Sequence, residues 1–393
     1  MLLPIVVMLC CCRREPQKSC CSLNHTYNYN NLNNFLYYYF FIVWFIYGLA
    51  SFLWVKSYKW WIIAEYSLFI GVACIIICNK LLITTKYIGI SLKLMYFVLT
   101  LHSLIGWFEI ISGKYYFISS NMSAIYSINQ YPASALGNTN NFATGMLIGF
   151  FISISFIYIC RSWVIKTLVL LNALSMSCLI YMASSRANLI ALILGITFLI
   201  FVKKNKFSKS IKVLLIFILL GSFSLIYPTL YRQIINFILE LIGTCDNGDS
   251  ISVRKNLILN GLIFLKESFL LGVGSGNTNY YMEINSCSDG YHTTYGIINM
   301  HNWWMEILVD YGVIIFILYI IMYIKLIVDN VMIYKTVSYN IQERYYALSF
   351  ASFLIAYSIG CISASSNMTK EYIWLFFALI LAFTNLVLHK SMQ

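Results

Sequence analysis

The chain of 393 residues is 60% hydrophobic and only 10% charged, which excludes an ordinary soluble globular protein. Its net charge of +12 does not by itself indicate binding to nucleic acid. In so apolar a chain, the positions of lysines and arginines relative to the spans first indicate how the protein is oriented in the membrane. Many apolar runs approach or exceed the roughly 20 residues with which a helix crosses a hydrocarbon core. We therefore expect an all-α polytopic membrane protein without a nucleic-acid partner, since a helix satisfies its own backbone polar groups in lipid.

The first segment, residues 1–34, is interpreted as a cytoplasmic tail. Its first apolar run is too short to span a membrane, and the segment lacks the basic region and the small-residue cleavage site of a signal peptide. Its cysteines, at positions 10–12 and 20–21, have no histidine at zinc-finger spacing. We favour a dispensable tail. The alternatives are that its cysteines are lipidated or that they bind metal. No metal and no other cofactor is predicted for the chain.

About ten membrane-spanning helices are predicted after the tail. With the N-terminus inside, most of the 26 lysines and arginines fall in cytoplasmic segments, above all in the cluster from Lys203 to Lys212. This distribution predicts a plasma (inner) membrane protein with both termini in the cytoplasm. The predicted spans are about 35–55, 60–79, 88–110, 142–160, 163–183, 187–202 and 211–228 in a first region, 35–228, and 304–325, 345–364 and 372–388 in a second, 304–393.

Two polar segments are expected on the extracytoplasmic side, at about 111–141 and 229–303. The second is long enough to fold into a small cap with amphipathic helices of its own. It contains Cys245 and Cys287, which lie in a compartment where disulfides persist, so we expect them to pair and to staple the cap.

Arg186 stands between two apolar runs in the sequence Ser-Ser-Arg-Ala-Asn, which leaves almost no loop. An arginine at the outer membrane boundary keeps its charge and must find an anion, a carbonyl group or water. The alternative is an interfacial anchor whose guanidinium contacts lipid phosphate. The sequence favours neither.

Arg254 and Lys255 precede a run of alternating glycines, Gly272, Gly274 and Gly276, which ends at Asn277. Alternating glycines suit a tight backbone turn near a ligand. The two cations suit phosphate oxygens, with the guanidinium binding in bidentate fashion. Taken alone, without the neighbouring motifs, the glycine run is interpreted as an ordinary loop.

His301 lies where the second polar segment enters the eighth predicted span, followed by Asn302, Glu306 and Asp310 at four-residue spacing. A near-neutral imidazole can accept the proton of an attacking hydroxyl group. The spacing places the other three side chains on one helix face, which we expect to meet a cavity or protein. The alternative is structural, with His301 or Asn302 capping the helix and Glu306 favourable near its N-terminus.

An amide-rich turn precedes the fourth predicted span and contains Asn138 and Asn141. Amide groups suit sugar hydroxyls, but they suit turns and helix caps equally. We favour the structural role slightly.

The order of these motifs resembles that of the O-antigen ligase and polysaccharide polymerase superfamily. Ser-Ser-Arg at 184–186 is followed by Arg254, by Leu-Gly-Val-Gly-x-Gly-Asn at 271–277 and by His-Asn-x-x-x-Glu-Ile-Leu-x-Asp-Tyr-Gly at 301–312. The resemblance covers about residues 130–380, with Gly137 to Ala143 near its start and the late Ser365, Ser366 and Trp374. The tryptophan-rich form after His301 is similar to capsular or teichuronic-type polymerases of Gram-positive bacteria.

This resemblance implies a GT-C-like, metal-independent membrane glycosyltransferase whose donor is a glycan on undecaprenyl diphosphate. The acceptor would be a hydroxyl group of another lipid-linked repeat unit, and the partners would include membrane lipid, a flippase and a chain-length regulator. Arg186 and Arg254 would stabilise the leaving diphosphate, and His301 would orient or deprotonate the acceptor. The remaining predicted substrate-binding residues are Asn302, Glu306, Lys255, Gly274, Gly276, Asn277, Asn138 and Asn141.

Three other functions stay open at this point. A ligase would transfer a finished glycan to a different acceptor with the same donor chemistry. A flippase of lipid-linked sugars would carry its charges in a central cavity rather than on one face. An assembly scaffold would leave the co-occurrence of the motifs unexplained, so we rank it last.

Overall fold

The structure is a computed structural model that describes residues 27–202, 250–285, 288–337, 340–362 and 366–391. These ranges contain α-helices and short 3-10 turns and no strand, so the predicted all-α fold is confirmed. The predicted span at 211–228 and both cysteines of the predicted disulfide, Cys245 and Cys287, lie outside the described residues, as does the predicted tail up to residue 26.

The α-helices of the described ranges are numbered in chain order. They are α1 Tyr27–Ala50, α2 Tyr58–Leu81, α3 Thr85–Ser112, α4 Ser120–Asn129, α5 Thr139–Ile159, α6 Trp163–Met182, α7 Arg186–Val202, α8 Ser250–Glu267, α9 Asn277–Asn285, α10 Trp303–Thr336, α11 Ile341–Gly360 and α12 Glu371–Ser391.

Six of the described helices, namely α2, α3, α5, α6, α10 and α12, are long and apolar enough to cross a membrane. A multi-pass membrane protein is therefore confirmed, but the predicted number of ten is not reached by this measure. Two apolar helical segments, Tyr37–Leu53 and α7, are shorter. Helix α11 lies inside the bundle, where buried polar residues such as Ser349, Ser352 and Glu343 lower its hydropathy.

The first turns of α5, α7, α10 and α12 meet at one end of the bundle. The Asn188 amide, in α7, donates to the carbonyl oxygen of Asn140 at 3.3 Å, and the Tyr372 hydroxyl, in α12, donates to that of Asn141 at 3.0 Å. The amide of Trp303, at the start of α10, donates to the carbonyl oxygen of Cys361 after α11. We call this the site end, and it brings together motifs that are far apart in the sequence.

Trp44 of α1 is the centre of the aromatic core near the site end. It is fully buried, and its ring centroid lies 5.5 Å from that of Tyr311, 5.7 Å from Tyr319, and 6.1 Å from both Trp303 and Trp374. Such edge-to-face and tilted ring contacts add to the stabilisation from burial alone. They fix α1, α10 and α12 relative to one another below the site.

Helix α10 is broken at Gly312, which has a φ of 77° and a ψ of 175°. A break leaves carbonyl groups without their helical partners. Here the carbonyl oxygen of Val309 accepts from the amide of Val273 at 2.9 Å, and that of Asp310 accepts from the amide of Gly274 at 3.0 Å. The glycine-rich loop between α8 and α9 therefore docks into the break.

Helices α8 and α9 belong to the segment that was predicted to form a cap. Together with the start of α10 they bury a small apolar cluster, separate from the main core. Its members are Val253, Leu257, Phe264, Val273, Met282, Met300 and Val309. The predicted domain boundaries at 229 and 303 remain predictions, because the segment before Ser250 lies outside the described residues.

Candidate functional site

Arg186 is the first residue of α7, and its side chain is exposed at the site end. Ser184, two residues earlier, has a φ of 53°, so the chain turns sharply between α6 and α7. Asn188 holds this turn, because its amide also donates to the Ser185 hydroxyl at 2.9 Å. The N-terminus of a helix disfavours a cation and favours an anion. An arginine at this position is therefore suited to hold an anion between itself and the helix terminus.

The amide-rich turn lies beside Arg186, because Asn188 reaches the carbonyl group of Asn140. Asn138 caps α5, accepting from the amide of Asn140 at 2.8 Å. Asn141 is buried, and its carbonyl oxygen receives the hydrogen bond from α12. The structure thus shows Asn138 as a helix cap, and the Asn141 side-chain amide donates to the carbonyl oxygen of Leu136 at 3.5 Å. The predicted role of both asparagines in substrate binding remains a proposal.

Arg254 lies on α8 within electrostatic range of Arg186. Burial lowers the pKa of the Arg254 guanidinium, and the positive charge of Arg186 lowers it further. Within the part of the chain that the structure describes, neither guanidinium lies within 4.0 Å of a carboxylate oxygen. Two cations whose charges act on each other, one of them partly buried, make an arrangement that an anion would stabilise.

Helix α8 also positions the segment that leads to His301. The Asn256 amide donates to the carbonyl oxygen of Thr293 at 3.0 Å. Asn260 exchanges two hydrogen bonds with the backbone of His292, each of 2.8 Å. The approach to His301 is thereby tied to the helix that carries Arg254, whereas the side chain of Lys255 is exposed on that helix.

His301 has a φ of 49°, a left-handed conformation that is uncommon outside glycine, asparagine and aspartate. Asn302 follows as the N-cap of α10, and its side-chain oxygen accepts from the amides of Trp304 at 3.1 Å and Met305 at 3.4 Å. The structural interpretation of Asn302 thus fits the geometry. His301 stands just outside the helix, half-buried, at the site end where Arg186 also lies.

Glu306, one turn into α10, contacts the loop between α11 and α12. The Ser366 hydroxyl donates to its carboxylate at 2.6 Å. Burial lowers the pKa of Lys370, and the negative charge of Glu306 opposes that shift. Lys370 therefore adds a cation to the site end that sequence reasoning did not assign to the site, because no local pattern marks it.

The glycine run is buried against other parts of the protein. A Cβ at Gly274 would meet the Val55 side chain, and a Cβ at Gly276 would lie 2.6 Å from the carbonyl oxygen of Trp60. The Asn277 side-chain oxygen accepts from the amides of Lys56 at 3.0 Å and Ser57 at 2.8 Å. The glycines thus permit the close approach of α2, and Asn277 holds the loop there.

Asp310 completes the connection between α10 and α9. Its Oδ1 accepts from the backbone amide of Thr278 at 2.9 Å and from the Thr278 hydroxyl at 2.6 Å, so it caps α9 from another helix. The predicted polar face of α10 therefore meets protein, because Asp310 contacts α9 and Glu306 contacts the loop before α12. Among the described residues, no group of three metal-ligating side chains is close enough to hold an ion.

These features define a class: a polytopic helical membrane protein with a cluster of cations and a histidine at one end of its bundle. Residues 171–320 match the O-antigen ligase family, and this range contains Arg186, Arg254 and His301. The chain is also 28% identical over 358 residues to the teichuronic acid biosynthesis protein TuaE of Bacillus subtilis (strain 168), a match that covers 89% of this chain and 71% of that protein. These two matches confirm the predicted resemblance to ligases and polymerases of this superfamily.

Proposed function

We propose that the protein polymerises oligosaccharide repeat units, carried on undecaprenyl diphosphate, into a cell-surface polysaccharide of the capsule, O-antigen or teichuronic type. The observation that carries the proposal is the pair of Arg186 and Arg254. Both belong to the range that matches the O-antigen ligase family, and their charges interact. A lipid diphosphate is an anion at the membrane surface, and guanidinium groups bind phosphate oxygens in bidentate fashion.

The reaction follows from what each group can do. The oxygen of an acceptor hydroxyl attacks the anomeric carbon of the donor, and a new glycosidic bond forms. The bond from that carbon to the diphosphate oxygen breaks, and its electron pair leaves with the diphosphate. The guanidinium groups stabilise the developing charge at the edge of a low-dielectric region, where fixed cations act strongly.

His301 takes the proton of the acceptor hydroxyl in this proposal, or directs that hydroxyl towards the anomeric carbon. The imidazole suits the task because it accepts a proton near neutral pH. Its fixed position after Met300, whose side chain is buried against α8, holds it next to the helix of Arg254.

The site end lies on the extracytoplasmic side in this proposal, and the membrane is the plasma membrane. The opposite end carries Lys80, Lys335 and Lys390 at the ends of α2, α10 and α12. Positive charge at the cytoplasmic ends of spans favours this orientation. The lipid-linked glycan would then reach the site from the outer leaflet.

A ligase is the second candidate, and the match to the O-antigen ligase family favours it directly. Ligase and polymerase share the donor, so the same cations would serve both. They differ in the product, since a polymerase makes a ladder of lengths and a ligase makes one transfer per acceptor. A flippase fits less well, because the described site cations cluster at one end of the bundle.

The test is expression in a host that lacks its own polymerase, with the extracted glycan separated on a gel. The variants are Arg186→Ala, Arg254→Ala and His301→Ala, and Lys59→Ala is the matched control. Lys59 is an exposed cation at the same end of the bundle, beside Trp60. Each protein is quantified in the membrane fraction.

We expect a ladder from the parent and from Lys59→Ala, and a single repeat unit from the other three variants. The loss of one such cation should reduce the rate by about 10²–10³, as for other donors that stabilise an oxyanion. Full ladders from all three variants would contradict the assignment of the site. Transfer of glycan to a different acceptor, without a ladder, would show that the protein is a ligase and not a polymerase.

A further inference from the structure

Three consecutive apolar side chains, Phe269, Leu270 and Leu271, are exposed just after α8. Phe269 is 87% exposed, and the two leucines are each 53% exposed. The sequence places them in a polar segment that was expected to lie outside the membrane. Exposed apolar side chains in a contiguous group indicate contact with an apolar partner.

The backbone of this turn holds the three side chains outward. Phe269 has a φ of 53° and Leu270 a φ of 66°. Residues with a side chain rarely adopt this left-handed conformation, and large apolar residues are among the least suited to it. The docking of the following glycines against α10 fixes the conformation, so the exposure is built into the fold.

The three amides of the turn and the carbonyl groups of Leu270, Leu271 and Gly272 are bonded within the protein. The amides of Phe269, Leu270 and Leu271 donate to carbonyl oxygens of residues 266, 265 and 268 at 2.9 to 3.1 Å. The carbonyl oxygen of Leu270 accepts from the amide of Val313 at 3.0 Å. That of Leu271 accepts from the Tyr47 hydroxyl at 2.6 Å, and that of Gly272 from the Trp54 indole at 3.1 Å. Non-helical backbone is tolerated at membrane depth only when its polar groups are bonded in this way.

The turn continues the exposed apolar surface of α10. The hydrogen bond to Val313 places it next to Ile314, which is 63% exposed on a membrane-spanning helix, and Ile317 and Ile321 extend the same exposed surface. Tyr47 and Trp54 are residue types that favour the membrane interface. Lys266, one turn earlier, is exposed and can extend to lipid headgroups.

We infer that Phe269, Leu270 and Leu271 form a membrane anchor, whose partner is the acyl chains of the bilayer. The anchor inserts one end of α8 into the outer part of the hydrocarbon region and leaves the other end, with Arg254, at the site. The inference concerns lipid contact and is independent of the proposed glycan chemistry.

Site-specific photo-crosslinking tests the anchor in the full chain. Benzoylphenylalanine replaces Phe269, and the protein is reconstituted in vesicles of phosphatidylethanolamine and phosphatidylglycerol with tritiated acyl chains. Ile314→benzoylphenylalanine is the positive control on α10. Asp289→benzoylphenylalanine is the negative control, because Asp289 is an exposed charged residue of the same segment.

Irradiation should transfer lipid label to position 269 to the same extent as to position 314, while position 289 stays at background. The label is compared per amount of folded protein, taken from a size-exclusion peak. Label at position 269 equal to that at position 289 would overturn the inference. Crosslinking of position 269 to protein instead of lipid would overturn it as well.

Discussion

His301 combines a titratable ring with a backbone conformation that few residues adopt. Its φ of 49° follows from the turn into α10, where Asn302 begins the helix. Alanine at this position would lose the imidazole and also strain the backbone. Asparagine tolerates the left-handed conformation better than other non-glycine residues. A change of His301 to asparagine therefore removes the imidazole without straining the backbone.

We predict that His301→Asn keeps the thermal stability of the parent and reduces glycan transfer by about 10² to 10⁴, the range that general acid–base catalysis contributes. The comparison is the rate of ladder formation at equal amounts of membrane protein, with His301→Ala alongside. A variant that keeps both the parent rate and the parent pH profile would limit His301 to a structural role.

Asn302 provides a second prediction, which concerns stability. Its side chain accepts from two amides at the start of α10, and the loss of an N-cap costs about 1 kcal/mol. Asn302→Ala should lower the thermal midpoint in detergent. Asn302→Asp should retain it, because a carboxylate also caps and is favourable near the helix N-terminus. Equal destabilisation by both variants would argue against the cap.

Individual side chains were predictable where their role is local. The capping role of Asn138 and Asn302 was among the sequence interpretations because Asx residues before apolar runs are typical N-caps. Lys370 was not assigned to the site, since its proximity to Glu306 depends on how the turn after α11 folds back onto α10. Such long-range proximity leaves no spacing pattern in the chain.

At the scale of single elements, the break in α10 is the feature that most affects the site. The half before Gly312 carries Glu306 and Asp310, and the half after it continues through the bundle. Hydrogen bonds from the glycine-rich loop replace the helical bonds that the break removes. The break therefore connects α10 to α8 and α9.

We predict that Gly312→Ala destabilises the protein more than Gly113→Ala does. Both glycines have a positive φ, 77° and 65°, but a Cβ at Gly312 would meet the carbonyl groups of Leu270 and Leu271, whereas a Cβ at Gly113 has no neighbour within 4 Å. Left-handed backbone alone costs about 1–2 kcal/mol for a residue with a side chain. Thermal unfolding in detergent measures the difference, and equal losses would show that the loop does not dock tightly.

The break itself was not predicted, because Gly312 falls inside the apolar run that was assigned to one continuous span, 304–325. The glycine run was predicted to turn near a ligand, and the structure shows that Gly274 and Gly276 approach α2 and the turn before it. The break depends on pairing between residues about 270 and 310, and the position of the glycines depends on contacts with residues 51–64. Periodicity within any one of these segments cannot reveal such contacts. The predicted ends of the apolar spans lay nearer to the observed helix ends, because the composition of each run indicates where it begins and ends.

In the whole molecule, the helices run in alternating directions. Cations from distant parts of the chain therefore lie together at the site end. Arg186 begins α7, Arg254 lies on α8 and Lys370 precedes α12, while His301 precedes α10. The opposite end contains a different arrangement, in which Lys390 and Glu343 form an ion pair of 3.1 Å. The cations there are partly neutralised by protein carboxylates, which sets them apart from the guanidinium pair of the site end.

The most direct test of the central claim is the affinity of the purified protein for undecaprenyl diphosphate, measured by calorimetry in detergent. Arg186→Ala and Arg254→Ala are compared with the parent and with Lys59→Ala. Hydrogen bonds to a charged group contribute about 1.5–3 kcal/mol, so each arginine variant should bind about 10- to 150-fold more weakly, and Lys59→Ala should bind like the parent. Unchanged affinity in both arginine variants would contradict a diphosphate site at Arg186 and Arg254.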